Sequence, residues 1–431
     1  MPVDPRLAEE YLAPVDTARV WAEVDLDALA HNLTIIRSRA GAGVGIMLVV
    51  KADAYGHGAV AIAHHAVRCG VASLGVGTSC EALELRSAGL RVPILILGTV
   101  VDEEVPRVLR HGVEIGLHSF DRLHQLEREA RRLGLQARVH INVDTGMGRL
   151  GVLPERALDL LQEVRRSEHV HLAGVMTHIS SLAGNASPET TLQAKQFADV
   201  ITTAQEAGIH CGRIHLANST GLFSGLCPLY DTVRPGIAAL GVLPETIPGG
   251  EDLHPVLSLR SQVVFLKDIP AGTPVGYGST WRAPRQTRIA TLPLGYNDGV
   301  PWNLSNRGTV LLAGQHAPIV GCVSMDYTTV DVGAIEGLCV GAVATLIGKQ
   351  GAAQITVAEV ARAAGTIPYE ITCSVGKRVP RICVGGESPT LPSQVPTPAC
   401  PPALVTPTAR AVTAMERPSE PAPSKGARAH P

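Results

Sequence analysis

The sequence lacks an excess of either charge, and this is the first feature that narrows its possible functions. Its 431 residues include 37 Lys and Arg against 39 Asp and Glu, so the formal charge at pH 7 is −2. This balance gives no electrostatic reason to expect nucleic acid or an anionic membrane as a partner. Small ligands of little net charge fit the composition better.

Cysteine motifs and targeting segments are missing as well. The nine cysteines are odd in number, scattered and without a CxxC pair, which argues against a disulfide framework or a zinc site and for reduced thiols. The N-terminal segment MPVDPRLAEEYLAPVD has neither the basic nor the apolar part of a secretion signal, and no later apolar run reaches membrane-spanning length. We therefore expect a cytoplasmic protein.

Between about residues 45 and 240, short apolar runs alternate with longer helical patterns, as in a parallel sheet built from βα units. The eight candidate strands are 46–50, 72–75, 94–97, 113–117, 139–143, 172–176, 214–216 and 232–240. No GxGxxG turn follows the first of them, as a dinucleotide-binding sheet would require. The pattern favours an α/β fold with a (βα)8 barrel of the TIM type.

The chain is long enough for a second core, and its texture changes past about residue 250. There, β-rich segments alternate with Gly and Pro, and only one helix is expected, at 357–364. The end of the chain is rich in Pro and Ala and holds no aromatic residue, which is typical of disorder. We predict a barrel over residues 15–250, a mostly β domain over 251–386 and a disordered tail over 387–431.

Lys51 directly follows the first strand, in GIMLVVKADAYGHG, and so lies at the C-terminal mouth of the predicted barrel. A lysine rooted in the barrel wall loses solvent, which lowers its pKa and suits it to attack an aldehyde cofactor. Position alone favours a lysine that leaves the strand for solvent. Tyr55 and the two following glycines favour the first interpretation, because such a loop before a helix can hold a phosphate.

Later strands also end in polar groups, at 144–149, at 178, at 218–220 and at 234–237. Each group by itself is more often a helix cap or a solvated loop. Because a barrel brings the C-terminal ends of its strands together, the repeated position indicates one shared site.

Nine motifs then occur in order over nearly all of residues 18–384: VVKADAYGHG, VDTGMGRLG, THIS, LANS, VRPGIAALG, GYGST, LGYNDG, VSMDYTTVDV and RVPRI. With these motifs the sequence resembles the alanine racemase family. The resemblance implies an isomerase that uses pyridoxal 5'-phosphate (PLP) to interconvert L- and D-alanine, supplying D-alanine for peptidoglycan. It also implies a homodimer, in which each active site borrows residues from the partner's β domain.

The resemblance implies roles for individual residues. Lys51 would carry the cofactor as a Schiff base and act as one of two acid/base groups, and Tyr277 of the partner subunit would be the other. A racemase needs two such groups, because removing and returning a proton on one face regenerates the starting enantiomer. Arg234 would face the pyridine nitrogen, where a cation opposes ring protonation and limits side reactions.

The remaining implied roles concern binding. Arg149 and the backbone of Met325 of the partner subunit would hold the substrate carboxylate. The phosphate would be bound by hydroxyl and backbone N–H donors, with two further polar groups beside the cofactor. The residues implied for the phosphate are Tyr55, Ser219, Gly236 and Ile237. His178 would lie near the cofactor ring, and Asn218 would be a neighbouring polar support.

Three positions depart from the family pattern. Asn142 stands where many members have a carbamylated lysine that props the cofactor-side arginine, so an anion or a hydrogen bond would have to replace it. Lys377 takes a place where some members have a tyrosine that touches the phosphate. Cys322 replaces a common arginine, which puts the support of the Met325 loop in question.

Three other functions fit the sequence less well. A related PLP-dependent decarboxylase would need a glycine-rich phosphate loop and a cysteine-bearing partner loop, which the sequence does not show. A barrel-only PLP carrier would lack the second domain. His64 and His65 suggest a metal enzyme, but no HExxH spacing or paired carboxylate accompanies them, so no metal is expected. Within racemases, serine or a broader range of substrates stays open, because an apolar pocket discriminates weakly between small side chains.

Overall fold

The computed structural model describes residues 18–180, 188–244 and 247–386. The predicted disordered tail, 387–431, lies outside these residues. In the described part of the chain, no helix combines the length and apolar character needed to cross a bilayer.

Eight parallel strands form a nearly closed barrel, which confirms the predicted fold. The chain first forms strand β1 (Val20–Asp25), outside the barrel, and the barrel strands follow. They are β2 (Gly45–Val49), β3 (Ser73–Val76), β4 (Ile94–Ile96), β5 (Glu114–Leu117), β6 (Ala137–Asn142), β7 (Val170–Met176), β8 (Arg213–His215) and β9 (Thr232–Val233). Each of β2 to β7 pairs with the next, and β9 pairs with β2. An isolated bridge between Asn218 and Arg234 links the last two strands.

Helices connect these strands and cover the outside of the barrel, as βα crossovers require. They are α1 (Leu26–Ala40), α2 (Ala59–Arg68), α3 (Ser79–Ser87), α4 (Val105–Arg110), α5 (Phe120–Leu133), α6 (Pro154–Arg166), α7 (Pro188–Glu206) and α8 (Ser219–Ser224). Local sequence explains their ends. Helix α3 begins with a capping box between Thr78 and Glu81, and α5 ends at Gly134 in the left-handed conformation.

The barrel interior is partly polar. Met47, Leu95 and Met176 form a small apolar cluster separate from the main core. His140 on β6 and His215 on β8 are fully buried. Barrel interiors are usually filled by branched apolar side chains, so buried imidazoles there need hydrogen-bond partners.

The second domain is mostly β, as predicted. Its strands are β10 (Leu257–Gln262), β11 (Phe265–Ile269), β12 (Pro274–Val275), β13 (Trp281–Arg282), β14 (Thr287–Leu292), β15 (Thr309–Leu312), β16 (Gln315–Pro318), β17 (Thr328–Asp331), β18 (Val343–Gln350), β19 (Ala353–Ile355) and β20 (Arg381–Val384). Strand β1 lies between β10 and β20 in its largest sheet. The expected helix α9 (Val357–Ala364) forms, and a second helix, α10 (Pro368–Cys373), was not predicted.

Candidate active site

A cavity of about 480 Å³ lies at the C-terminal ends of the barrel strands. Nine predicted site residues line it together: Lys51, Tyr55, Arg149, His178, Asn218, Ser219, Arg234, Gly236 and Ile237. Tyr277 and Met325 do not line it. They lie on the β domain of the same chain with 76% and 53% of their surface exposed.

Lys51 begins a turn of left-handed helix rather than the ordinary loop that the sequence suggested. The four residues Ala52–Tyr55 have φ between 52° and 54° and ψ between 41° and 51°. Left-handed backbone costs roughly 1–2 kcal/mol for each non-glycine residue, so surrounding contacts must stabilise the turn. Lys51 and Tyr55 are one turn apart on it, and both line the cavity.

Glu81 supplies one of these contacts. Its Oε1 accepts the Ala52 N–H at 2.7 Å, and its Oε2 accepts the N–H groups of Gly77 at 2.7 Å and Thr78 at 3.1 Å. Gly56 allows a second contact, since a Cβ atom there would lie 2.1 Å from the carbonyl oxygen of Thr372. The turn is therefore held from the barrel on one side and from helix α10 on the other.

Lys51 is exposed as a residue, yet the cavity walls desolvate its ammonium group. This burial lowers the pKa of Lys51, and the positive charge of Arg149 lowers it further, while the charge of Glu81 opposes the shift. At neutral pH a larger fraction of Lys51 is therefore the free amine, which is the form that attacks an aldehyde.

Arg234 is a buried cation that is fixed by four acceptors. One terminal nitrogen donates to His215 Nδ1 at 2.9 Å and to the His215 carbonyl at 2.8 Å. The other donates to the carbonyls of Thr177 at 2.8 Å and Leu216 at 3.2 Å. Burial lowers the pKa of Arg234 to about 10, so it stays charged at neutral pH. None of the described residues accepts its Nε–H, which leaves this donor for a ligand.

His178 reports the electrostatics of the cavity. Burial lowers its pKa to about 3, and the nearby charges of Arg234, Arg149 and Lys51 act in the same direction. His178 is therefore neutral at physiological pH. A cavity with three cations and a neutral imidazole favours an anionic ligand, such as a phosphate or a carboxylate.

One end of the cavity is arranged to donate hydrogen bonds. The N–H groups of Gly236 and Ala238 both donate to Ser219 Oγ, at 3.0 and 3.3 Å, so the Ser219 hydroxyl hydrogen is left for another acceptor. Burial raises the pKa of Tyr55, which keeps its hydroxyl protonated and able to donate. The Ile237 N–H donates to none of the described residues. The free donors of Ser219, Tyr55 and Ile237 suit an anion.

Two asparagines at the cavity act on the backbone. Asn218 caps helix α8, with Oδ1 accepting the Gly221 N–H at 2.9 Å. Asn142 donates to the carbonyl of Leu150 at 2.7 Å, the residue after Arg149. A hydrogen bond to the main chain therefore supports the Arg149 loop where the family pattern has a lysine.

The sequence did not point to three residues that also line the cavity: Ile367, Tyr369 and Cys373. They come from helix α10 and its N-cap, Ile367, so the β domain of the same chain contributes to the site as well. The Tyr369 and Tyr55 rings lie 5.9 Å apart. Lys377 is exposed and does not line the cavity, so in this chain Tyr369 is the β-domain side chain beside Tyr55. In the sequence, the aromatic residue of IPYEITC was the only signal that this segment contributes to the cavity.

Tyr277 and Met325 lie on two turns that contact each other. Gly276, at φ 73°, starts the Tyr277 turn, and a Cβ atom there would lie 3.0 Å from the Cys322 backbone nitrogen. Cys322 Sγ also lies 3.4 Å from Thr280 Oγ1. Cys322 therefore joins the two turns, although it cannot replace the charge of an arginine.

The Met325 loop has a further support in Arg378. Its guanidinium binds the fully buried Asp298 at 2.6 and 3.0 Å and Asp326 at 2.6 Å. The Met325 carbonyl accepts the Asn297 N–H at 3.3 Å.

Among the residues that the structure covers, no group of three His, Cys, Asp or Glu side chains is placed to hold a metal ion.

Comparison with known proteins agrees with this geometry. The family model "Alanine racemase, N-terminal domain" matches residues 24–244, and "Alanine racemase, C-terminal domain" matches residues 256–383. The alanine racemase of Symbiobacterium thermophilum is 41% identical over 369 residues, which are 85% of this chain and 97% of the relative.

Two solved structures extend the comparison. The alanine racemase from D-cycloserine-producing Streptomyces lavendulae superposes with a TM-score of 0.81 at 35% identity, covering 86% of this chain and 98% of that one. The alanine racemase from Bartonella henselae, with covalently bound pyridoxal phosphate, gives a TM-score of 0.77 at 31% identity, covering 85% and 100%. This chain belongs to the alanine racemase family.

Proposed function

We propose that the protein interconverts L- and D-alanine with PLP attached to Lys51, and that it supplies D-alanine for peptidoglycan in the cytoplasm. The observation that carries this proposal is the cavity that holds Lys51, Arg234 and the phosphate-type donors together. Family membership supports the alanine substrate and disfavours the decarboxylase alternative.

The residues present fit PLP at both of its ends. Lys51, with its lowered pKa, suits the aldehyde. The free donors of Tyr55, Ser219 and Ile237 suit the phosphate dianion. Gly236 makes this end possible, because a Cβ atom there would lie 2.5 Å from the Tyr55 hydroxyl. When bound, PLP supplies an electron sink that acidifies the Cα proton of the amino acid.

The side chains of this protein then decide which proton moves and where. Arg149 lines the cavity beside Lys51 and can hold the substrate carboxylate with two parallel hydrogen bonds. The Lys51 amine removes or returns the Cα proton on one face. Arg234, which lines the cavity, would face the pyridine nitrogen of bound PLP, and its positive charge would disfavour protonation of that nitrogen.

The second base is Tyr277 of the partner subunit in this proposal. Burial raises the pKa values of Tyr55, Tyr369 and Cys373, so these groups stay protonated at neutral pH. A protonated phenol or thiol cannot accept the Cα proton. Tyr277 is largely exposed and does not line the cavity of its own chain. A head-to-tail homodimer would bring Tyr277 and Met325 to the other chain's cavity.

Exposed apolar side chains support a partner surface on the β domain. Besides Tyr277 and Met325, four large aromatic side chains are exposed there among the described residues: Phe265, Tyr296, Trp302 and Tyr327. Where such side chains form one contiguous patch, the patch commonly marks a protein–protein contact. In this proposal residues 15–250 hold the cofactor, and residues 251–386 also complete the site of the partner.

Racemisation of each proteinogenic L-amino acid, followed by chiral chromatography, tests the function and its substrate. We expect alanine to be converted fastest. Faster conversion of serine would favour the alternative, and no conversion by the PLP-loaded protein would refute the proposal. Borohydride should fix PLP on Lys51, as located by mass spectrometry, and Lys51→Ala is the matched control.

The shared site has its own test. Tyr277→Ala should abolish racemisation but keep exchange of the alanine α-proton in deuterated water, because Lys51 still serves one face. Mixing inactive Lys51→Ala with inactive Tyr277→Ala should restore activity in heterodimers. Subunit exchange without recovery would contradict a site formed by two chains.

A further inference from the structure

Glu114, His140 and His215 form a hydrogen-bonded row inside the barrel that ends at Arg234. We call these three residues the imidazole row. His140 Nε2 lies 2.9 Å from Glu114 Oε2, and His140 Nδ1 lies 2.8 Å from His215 Nε2. Both imidazoles are fully buried, and Glu114 is 2% exposed. The row thus connects the cation of the active site with a carboxylate one side chain after another.

A glycine makes this row possible. His140 is on β6 and His215 on β8, and β7 lies between them with Gly174 opposite His140. A Cβ atom on Gly174 would lie 2.4 Å from His140 Nδ1 and 2.7 Å from Cε1. Only a residue without a side chain lets the two imidazoles meet across β7.

The partners fix the direction of every hydrogen bond in the row. Arg234 has only donors, so His215 Nδ1 must accept and carries no hydrogen. A neutral His215 then bears its hydrogen on Nε2 and donates to His140 Nδ1. His140 in turn bears its hydrogen on Nε2 and donates to Glu114, which is ionised and can only accept.

Surrounding charges are consistent with these protonation states. Burial by itself would raise the pKa of Glu114, but the hydrogen bonds from His140 and Arg138 and the charge of Arg213 lower it to about 2. Burial lowers the pKa of His140, and burial followed by the charge of Arg234 lowers that of His215. One carboxylate and two neutral imidazoles are the result.

We propose that Glu114 and His140 are positioning residues, which hold His215 in the Nε2–H tautomer so that its Nδ1 lone pair fixes Arg234 against the cofactor. Without this row His215 can place its hydrogen on Nδ1. Two donors would then face each other, and the Arg234 guanidinium would lose an acceptor in a buried position. Neither Glu114 nor His140 lines the cavity, so both act only through His215 and Arg234.

Nuclear magnetic resonance of the holoenzyme with ¹⁵N-labelled histidine tests the direction of the row. His215 Nδ1 should show the chemical shift of a nitrogen without hydrogen, and Nε2 that of an N–H group; the His215→Asn variant assigns the signals. A hydrogen on His215 Nδ1 would overturn the proposal. The measurement needs no turnover, so it stands even if the protein were to racemise no alanine, a result that would refute the proposed function alone.

A pair of substitutions at His140 separates hydrogen bonding from packing. Phe keeps the ring, and Gln keeps an acceptor for the His215 Nε2–H. Outer partners of metal-bound histidines contribute roughly 10–100-fold when removed, and we expect His140→Phe to lower kcat by about that factor. KM for alanine should change less, because Arg234 does not bind the substrate. His140→Gln should keep the His215 tautomer and be the more active variant, and a more active Phe variant would refute the positioning role.

Two variants at the far end of the row complete the test. Glu114→Leu removes the last acceptor, so the ¹⁵N signals of His215 should shift toward a mixture of tautomers and kcat should fall. Arg138→Gln is the matched control, because Arg138 binds Glu114 Oε1 at 3.1 Å but touches neither imidazole. Unchanged His215 signals in Glu114→Leu, or equal changes in both variants, would contradict the proposal.

Discussion

Gly236→Ala probes how closely the phosphate end of the cavity is packed. The added Cβ atom would lie 2.5 Å from the Tyr55 hydroxyl oxygen and 3.0 Å from two carbon atoms of its ring. Ordinary van der Waals contact begins at 3.4 Å, so the oxygen would have to retreat by about 0.9 Å. Gly236 has no positive φ, and the expected effect is therefore steric and not a backbone effect.

Tyr55 cannot make this movement freely. Its side chain is only 8% exposed and its backbone belongs to the left-handed turn. Overpacking a filled site costs about 1–3 kcal/mol, and we expect the apoprotein to lose that much stability. A displaced Tyr55 hydroxyl also donates poorly to the phosphate. If the same energy is lost from cofactor binding, the Kd for PLP rises about 5–150-fold.

Urea unfolding of the apoprotein and absorbance titration with PLP measure the two effects. Tyr55→Phe is the matched substitution to combine with Gly236→Ala, because it removes the hydroxyl oxygen that would lie 2.5 Å from the new Cβ atom. Gly236→Ala should therefore destabilise the Tyr55→Phe protein less than the wild type, with a coupling energy of at least about 0.5 kcal/mol. Additive effects of the two substitutions would show that the contact is not the cause, and our account of the phosphate end would be wrong.

Three further predictions follow from other parts of the structure. Glu81→Gln removes the negative charge that raises the pKa of Lys51, so the pH midpoint for PLP attachment to the apoprotein should move down; an upward shift would contradict the assigned charge effect. Burial lowers the pKa of His57 to about 4, so His57 becomes protonated at a higher pH in the unfolded state than in the folded state. Stability in urea should then fall as pH decreases from 6.5 to 4, by up to about 1.4 kcal/mol per pH unit for this histidine, and His57→Asn should reduce that slope. Arg378→Ala leaves the buried Asp298 with fewer donors and should lower the free energy of unfolding by about 1–3 kcal/mol; thermal unfolding that matches the wild type would show that this ion pair does not support the Met325 loop.

Much of the barrel and of the cavity could be predicted from the sequence, for one reason. Strands buried on both faces appear as short apolar runs, and parallel strands place their C-terminal ends at one edge. Polar residues that follow such runs, including Lys51, His178 and Arg234, therefore converge without knowledge of the fold in detail. The helix at 357–364 was equally readable, because its capping box and terminal glycine are local signals.

Other parts could not be predicted, because they depend on contacts between distant segments. The sequence KADAYGHG suggests a loop, and its left-handed turn exists because Glu81 and the Thr372 region hold it. Helix α10 is short and has no strong periodicity, so the contribution of Tyr369 to the cavity of its own chain stayed hidden.

The sequence by itself determined the alternation of strands and helices, the lysine at the first strand end and the family pattern along the chain. Only the tertiary structure decided what lies beneath the cavity. Glu114, His140 and His215 are separated by 26 and 75 residues and carry no shared motif. Closure of the barrel turns these side chains inward, and burial then forces them to hydrogen-bond to one another, because a buried polar group without a partner is costly.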